Sequence, residues 1–140
     1  MNSTAILSAY FKRKSNLTDD ETDMICSYFR EESLAREENL FREGDRYKKI
    51  AFVAKGILRV YVTDNYGEEI VKNFVEDENF FSDTESFDKN SPSVLNVSAV
   101  TDCILLTLSK PDADILADRM PQWAYLMKMG TMQAMNDMIR

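Results

Sequence analysis

The chain has 140 residues, about one domain's worth, with 17 Lys+Arg against 24 Asp+Glu for a net charge of −7. Hydrophobic residues make up 44%, an ordinary share for a globular domain and too high for a disordered chain of this charge. There is no histidine, which excludes His-ligated metal sites and hydrolases with a His base, and two cysteines, Cys26 and Cys103, are too few for a four-thiolate metal site or a disulfide framework.

Residues 1–31 read as helical. Ile6, Leu7, Tyr10 and Phe11 recur at helical spacing, and Thr18 with Glu21 three residues on fits a capping box that starts a second helix. Met24, Ile25, Tyr28 and Phe29 then lie on one face of it. Residues 32–109 change period. The run KIAFVAKGILRVYV over 49–62, broken at Gly56, is rich in β-branched and aromatic residues. Glu69–Val75, Val94–Val100 and Cys103–Leu108 are further strands, with turns at Glu43-Gly44-Asp45, Asp64-Asn65-Tyr66-Gly67 and Asn90-Ser91-Pro92. Residues 110–140 return to helix. Ser109 is the cap, Pro111 sits in the first turn with Asp112 and Asp114 at the positive end, and Pro121 opens a last helix that runs to Arg140. Helices, short strands, then helices make an α+β chain of one domain around an antiparallel sandwich or roll.

Charge is concentrated. Residues 64–90 hold nine acids and two bases, so this segment carries the whole net charge of −7. An acidic chain is a poor nucleic-acid binder, because phosphate contacts need clustered Lys and Arg, and the small basic run Lys12-Arg13-Lys14 reads as a solvated helix end. No apolar run approaches the ~18 residues of a membrane span. The N-terminal basic residues Lys12, Arg13 and Lys14 follow the apolar stretch rather than precede it, the reverse of a secretory signal. These features predict a cytoplasmic protein with ordinary buried thiols, no membrane contact, no metal and no catalytic residues.

Residues 39–56, NLFREGDRYKKIAFVAKG, resemble the opening of the cyclic-nucleotide-binding β-roll of the Crp/Fnr transcription regulators. The resemblance rests on the Gly44-Asp45 turn, a hydrophobic strand, and Gly56 closing it. It continues through Ile57–Tyr61, the Asp64–Gly67 turn, Glu68–Val75, Asn79-Phe80-Phe81, the Ala99 strand, the Ser109 cap and the helix after Pro121, about residues 32–140 in all. It implies a double-stranded β-helix, jelly-roll-like, with N-terminal helices packed on it and a C-terminal dimerisation helix.

That family holds the ligand's cyclic phosphate in a short cassette after the Phe-Phe position. The cassette reads Gly-Glu, with an Arg about ten residues later and a small hydroxyl residue after it. The Glu takes the ribose hydroxyl, and the Arg and backbone amides neutralise the phosphate. Here the matching residues are Ser82, Asp83 with Thr84 after it, Ser93 and Val94, and 90–109 contains no basic side chain. Losing ~3 kcal/mol of charge-assisted bonding weakens binding about a hundredfold. Asp83, Glu85 and Asp88 add like charge against an anion. The Thr-Ser pair that reads adenine in cyclic-AMP-responsive relatives falls on Met138 and Ile139. The expectation is that the fold is kept and cyclic-nucleotide binding is lost. Segment 82–93 is then either a plain loop or the site of another small-molecule effector.

Arg59 is the one base with a route inward. Alternation places Ile57, Arg59 and Tyr61 on one side and Leu58, Val60 and Val62 on the other. If the first set faces the cavity, Arg59 is a candidate to bind an anion or pair with Asp83; otherwise it is a solvated side chain. In the last helix Tyr125, Met129, Met132, Met135 and Ile139 form an apolar stripe. It suits packing on the roll, or a homodimer seam as the resemblance implies. The chain ends inside that helix with no basic recognition helix, so DNA contact is expected only through a domain this chain lacks. The expected function is the effector-sensing and dimerisation domain of a Crp/Fnr-type regulator. The alternative is a stand-alone binding module of the same fold. A related metal-dependent cupin enzyme fails on the absence of histidine.

Overall fold

The computed structural model describes residues 2–128. Two helices come first, α1 (Ser3–Lys14) and α2 (Asp19–Ser27). The Thr18 hydroxyl accepts from Glu21 N (3.1 Å) and the Glu21 carboxylate from Thr18 N (2.9 Å), so the capping box forms as the spacing predicts. Eight strands follow among the described residues: β1 (Arg30–Leu34), β2 (Asn39–Phe41), β3 (Lys49–Lys55), β4 (Leu58–Thr63), β5 (Glu69–Val75), β6 (Phe80–Ser82), β7 (Asn96–Ala99) and β8 (Cys103–Ser109). A short helix α3 (Thr84–Lys89) separates β6 from β7, and α4 (Lys110–Arg119) follows β8. Residues 121–128 are helical again.

The strands form two antiparallel sheets, ordered β1-β8-β3-β6 and β2-β7-β4-β5. Apart from the β4–β5 hairpin, chain-adjacent strands alternate between sheets, which is the crossing pattern of a roll. Two apolar cores result. Leu34, Phe41, Val53, Leu58, Val60, Phe81, Val97 and Leu105 fill the space between the sheets. On the other face of the β1-β8-β3-β6 sheet, Ile50, Phe52, Leu106 and Leu108 pack against Leu7, Phe11, Ile25, Leu116 and Trp123 from the helices. The molecule is therefore three layers, helices on sheet on sheet, and the outer face of the β2-β7-β4-β5 sheet has no helix over it among the described residues.

Gly56 divides the long strand run as expected. Its φ is +114°, and a Cβ there would meet Asp102 O and Cys103 Sγ, both at 2.7 Å. Only glycine takes that backbone and that close approach together. The β5 range matches the sequence reading; β8 runs one residue longer than expected, to Ser109, and β7 is shorter at both ends, Asn96–Ala99. The helical reading of residues 1–31 is corrected at its end, since β1 begins at Arg30. The short strands β1, β2 and β6 are additions to the sequence-based map.

Candidate functional site

The cassette is residues 82–95. Its helix starts at Asp83, whose carboxylate accepts from Ser86 N, and stops at Asn90, which takes the left-handed conformation (φ 57°) that asparagine tolerates and ends helices with. Phe87 anchors it by turning into the helix-side core, with the Lys110 ammonium over its ring at 4.7 Å. The β2–β3 loop then clasps the far side. Gly44 N donates to Ser93 O (2.8 Å), Ser93 N to Asp45 O (2.7 Å) and Arg46 Nε to Asn90 O (2.9 Å), and Lys48 Nζ reaches Asn90 Oδ1 (3.3 Å). The Gly44-Asp45 turn was visible in the sequence; the role of Arg46 and Lys48 had no sequence signal, because it depends on which loops meet.

Of the matched positions, Asp83 and Ser93 meet each other. The Ser93 hydroxyl donates to Asp83 Oδ2, and both residues are buried. Ser93 Oγ also accepts from Leu95 N at 3.0 Å. The two positions that the resemblance matches to the family's Glu and Arg are thus joined by a direct bond. Asp83's own carboxylate caps the N-terminal end of α3. Ser82 is buried and lines a cleft on the helix side, Thr84 opens α3, and Val94 projects into solvent. Within 82–95 the one basic residue is Lys89, exposed and paired with Glu85 (3.3 Å).

Arg59 is on the other side of the sheet. Leu58 and Val60 point into the roll and are fully buried, Arg59 points out, and the buried Tyr61 packs beside it across the register shift that follows Val60. Arg59 lies 4.3 Å from the Tyr61 ring centroid and 2.5 Å from Glu69 Oε1. The inward alternative, with Arg59 meeting Asp83, is thereby corrected: the strand's purely apolar set takes the interior because burying a guanidinium unpaired costs far more than burying a valine.

The roll interior holds one residue the sequence analysis missed. Tyr47 is buried there, stacked on Phe41 with ring centroids 4.5 Å apart, and its hydroxyl has no hydrogen-bond partner among the described residues. Burial, with a smaller contribution from Glu32, pushes the phenol well above its ordinary value, so it stays a neutral donor. On the same inner face Glu32 accepts from Lys49 Nζ (3.2 Å) and from the Thr107 hydroxyl. This set can hydrogen-bond a small polar group but offers no free cation to a phosphate. A cleft of about 580 Å³ between α3, α4 and the 121–128 helix has a mostly apolar lining, including Phe87, Ala117, Trp123 and Met127. In the 121–128 helix Trp123 and Met127 are buried and Tyr125 is 67% exposed. Met129, Met132, Met135 and Ile139 lie outside the described residues. No helix among the described residues is long and apolar enough to cross a membrane.

The sequence matches the cyclic nucleotide-binding domain family over residues 31–119. No curated protein sequence is significantly similar to the chain. Among solved structures, the chain is similar to the Catabolite Activator Protein of Thermus thermophilus, at 25% identity and TM-score 0.74, over 81% of this chain and 53% of that one. It is also similar to a cyclic nucleotide-binding domain from Methylobacillus flagellatus, at 15% identity and TM-score 0.81, over 95% of this chain and 76% of that one. A third is the N-terminal domain of a transcriptional regulator from Streptomyces coelicolor, at 23% identity and TM-score 0.71, over 96% of this chain and 92% of that one. The chain spans about half the length of the Thermus protein. With the family match covering well over half of the sequence and the roll in place, this chain belongs to the cyclic nucleotide-binding domain family.

Proposed function

We propose that the chain is the effector-sensing and dimerisation domain of a Crp/Fnr-type transcription regulator, cytoplasmic and non-catalytic, whose cassette no longer accepts cyclic nucleotides. The observation that carries the loss is the bond from Ser93 to Asp83. A ligand seated in the family's manner has to break it, displace a carboxylate from the helix cap, and then place a phosphate beside Asp83 with a serine at position 93 in place of the family's arginine. Any effector is therefore a different small molecule, for which the unpaired Tyr47 hydroxyl is the interior's available donor. The regulator reading is supported by the likeness to the Thermus Catabolite Activator Protein. Homodimerisation is supported by Tyr125, which stays exposed on the helix where Trp123 and Met127 are buried and starts the stripe continued by Met129, Met132, Met135 and Ile139. DNA contact belongs to sequence other than these residues.

Two variants test the reading. Ser82→Gly, Asp83→Glu and Ser93→Arg together restore the family cassette, and the expected result is cyclic AMP or cyclic GMP binding at least about tenfold tighter than in the parent. A folded triple variant that binds neither nucleotide better overturns the assignment of the loss to these positions. Met132→Glu with Met135→Glu is expected to convert a sedimenting dimer to a monomer with the roll intact. A parent that is already monomeric at about a millimolar chain overturns the dimer.

A further inference from the structure

The β5 strand is an open sheet edge with apolar side chains in solvent. Among the described residues its one ladder partner is β4, and its other side has no hydrogen-bonded neighbour in the sheet order β2-β7-β4-β5. Folded proteins blunt such edges by making them short or charged. The other three edges obey that rule, since β2 and β6 are three residues each and β1 reads Arg-Glu-Glu-Ser-Leu. β5 is seven residues long, and Ile70, Val71 and Phe74 are each 41–50% exposed. Val75 alone of its residues is buried.

The charge at the two ends of the edge says what fits it. Glu68 and Glu69 lie at one end and Glu76 and Asp77 at the other, all exposed, with Lys72 between them. A second copy is disfavoured: β5 laid antiparallel on itself about Lys72 sets Glu68 opposite Glu76 and Lys72 opposite Lys72, like charges directly across the ladder. The register shift between Val60 and Tyr61 also leaves Lys72 unopposed and twists the edge, which works against repeated self-pairing. A strand with small apolar residues in its middle and Lys or Arg at both ends has neither problem. Its backbone completes the ladder, its apolar side chains cover Val71 and Phe74 beside Tyr61 on one face and Ile70 on the other, and its ends meet the acids.

We propose that β5 is a docking edge that takes up an extended, basic-flanked segment of a partner protein as an added strand. This goes beyond the effector reading and is independent of the cassette, which lies on the other sheet's edge.

The test is amide hydrogen exchange on the full chain with a synthetic peptide of sequence KRVTVTVKR. The expected result is slowed exchange confined to residues 69–75, with affinity falling as ionic strength is raised from about 0.05 M to about 0.5 M. Glu68→Lys with Glu76→Lys changes only exposed side chains and is expected to weaken binding about tenfold with the fold unchanged by circular dichroism. The acid-flanked peptide EDVTVTVDE is expected not to bind. Four results each overturn the proposal: no slowing at 69–75 with KRVTVTVKR, equal binding of the acid-flanked peptide, unchanged affinity in the charge-reversal variant, or slowing at 69–75 that grows with the chain's own concentration in the absence of peptide, which assigns the edge to a second copy.

Discussion

Ser93→Ala removes one oxygen from the centre of the cassette, and its cost follows from what that oxygen does. Its hydroxyl donates to the buried Asp83 carboxylate and accepts from Leu95 N at 3.0 Å. In the variant the carboxylate keeps the Ser86 N–H, at 3.5 Å, and the Leu95 N–H loses this acceptor. A buried charge-assisted bond contributes about 1.5–3 kcal/mol and a neutral one about 1 kcal/mol, so the expected loss is about 2–4 kcal/mol. With a urea slope of about 1.5–2 kcal/mol/M for a domain of this size, the unfolding midpoint falls by about 1–3 M with the slope unchanged. Removing both partners, in Ser93→Ala with Asp83→Ala, is expected to cost less than the sum of the single changes, because no buried carboxylate is left behind. A coupling below about 0.5 kcal/mol refutes the reasoning, since it means the two side chains are not bonded in solution and the cassette is open.

Other sites give independent checks. Gly56→Ala places a Cβ 2.7 Å from Asp102 O at positive φ, and a loss of at least about 2 kcal/mol in urea unfolding is expected. Trp123 is the chain's one tryptophan and packs edge-on to Phe11 with centroids 6.0 Å apart, so Phe11→Ala is expected to red-shift its emission and cost about 3–4 kcal/mol. Burial, helped by Asp23 and opposed by Lys12, pushes the Cys26 thiol from 9.0 to about 11. The unfolded chain ionises first, so this stabilisation is full below pH 9.0 and is lost as pH rises to about 11. Cys26→Ala is expected to flatten the fall of the urea midpoint across that window, and an unchanged slope there counts against a buried neutral thiol.

The sequence carried the long elements and the caps, and it carried them for physical reasons. Thr18 with Glu21 and Ser109 with Pro111 are local devices whose residues sit within four positions of each other, so they are readable without tertiary context, and Gly56 was legible as a glycine breaking an apolar run although its close approach to Asp102 and Cys103 was not. β5 was legible from its composition although almost none of it is buried, which is the same feature that marks it as a docking edge. Strands of three residues such as β2 and β6 show too few side chains to display a period of two, and they exist because a neighbour strand supplies the ladder. The direction of Arg59 could not follow from alternation, which defines two sets and leaves open which one faces in. The apolar partner set Leu58 and Val60 decided it. The cassette positions were found from the family pattern, and the departure from that pattern was legible as missing charge. That Ser93 would close on Asp83, ten residues away across a helix, required the fold. Tyr47 and the clasp of Arg46 and Lys48 likewise depend on one loop meeting another.

The central claim is a cyclic nucleotide-binding fold whose own side chains close the nucleotide site. Titration calorimetry of the full chain with cyclic AMP and with cyclic GMP tests it most directly. The account predicts no saturable heat with either nucleotide up to about a millimolar, whereas a micromolar or tighter Kd for either one contradicts it.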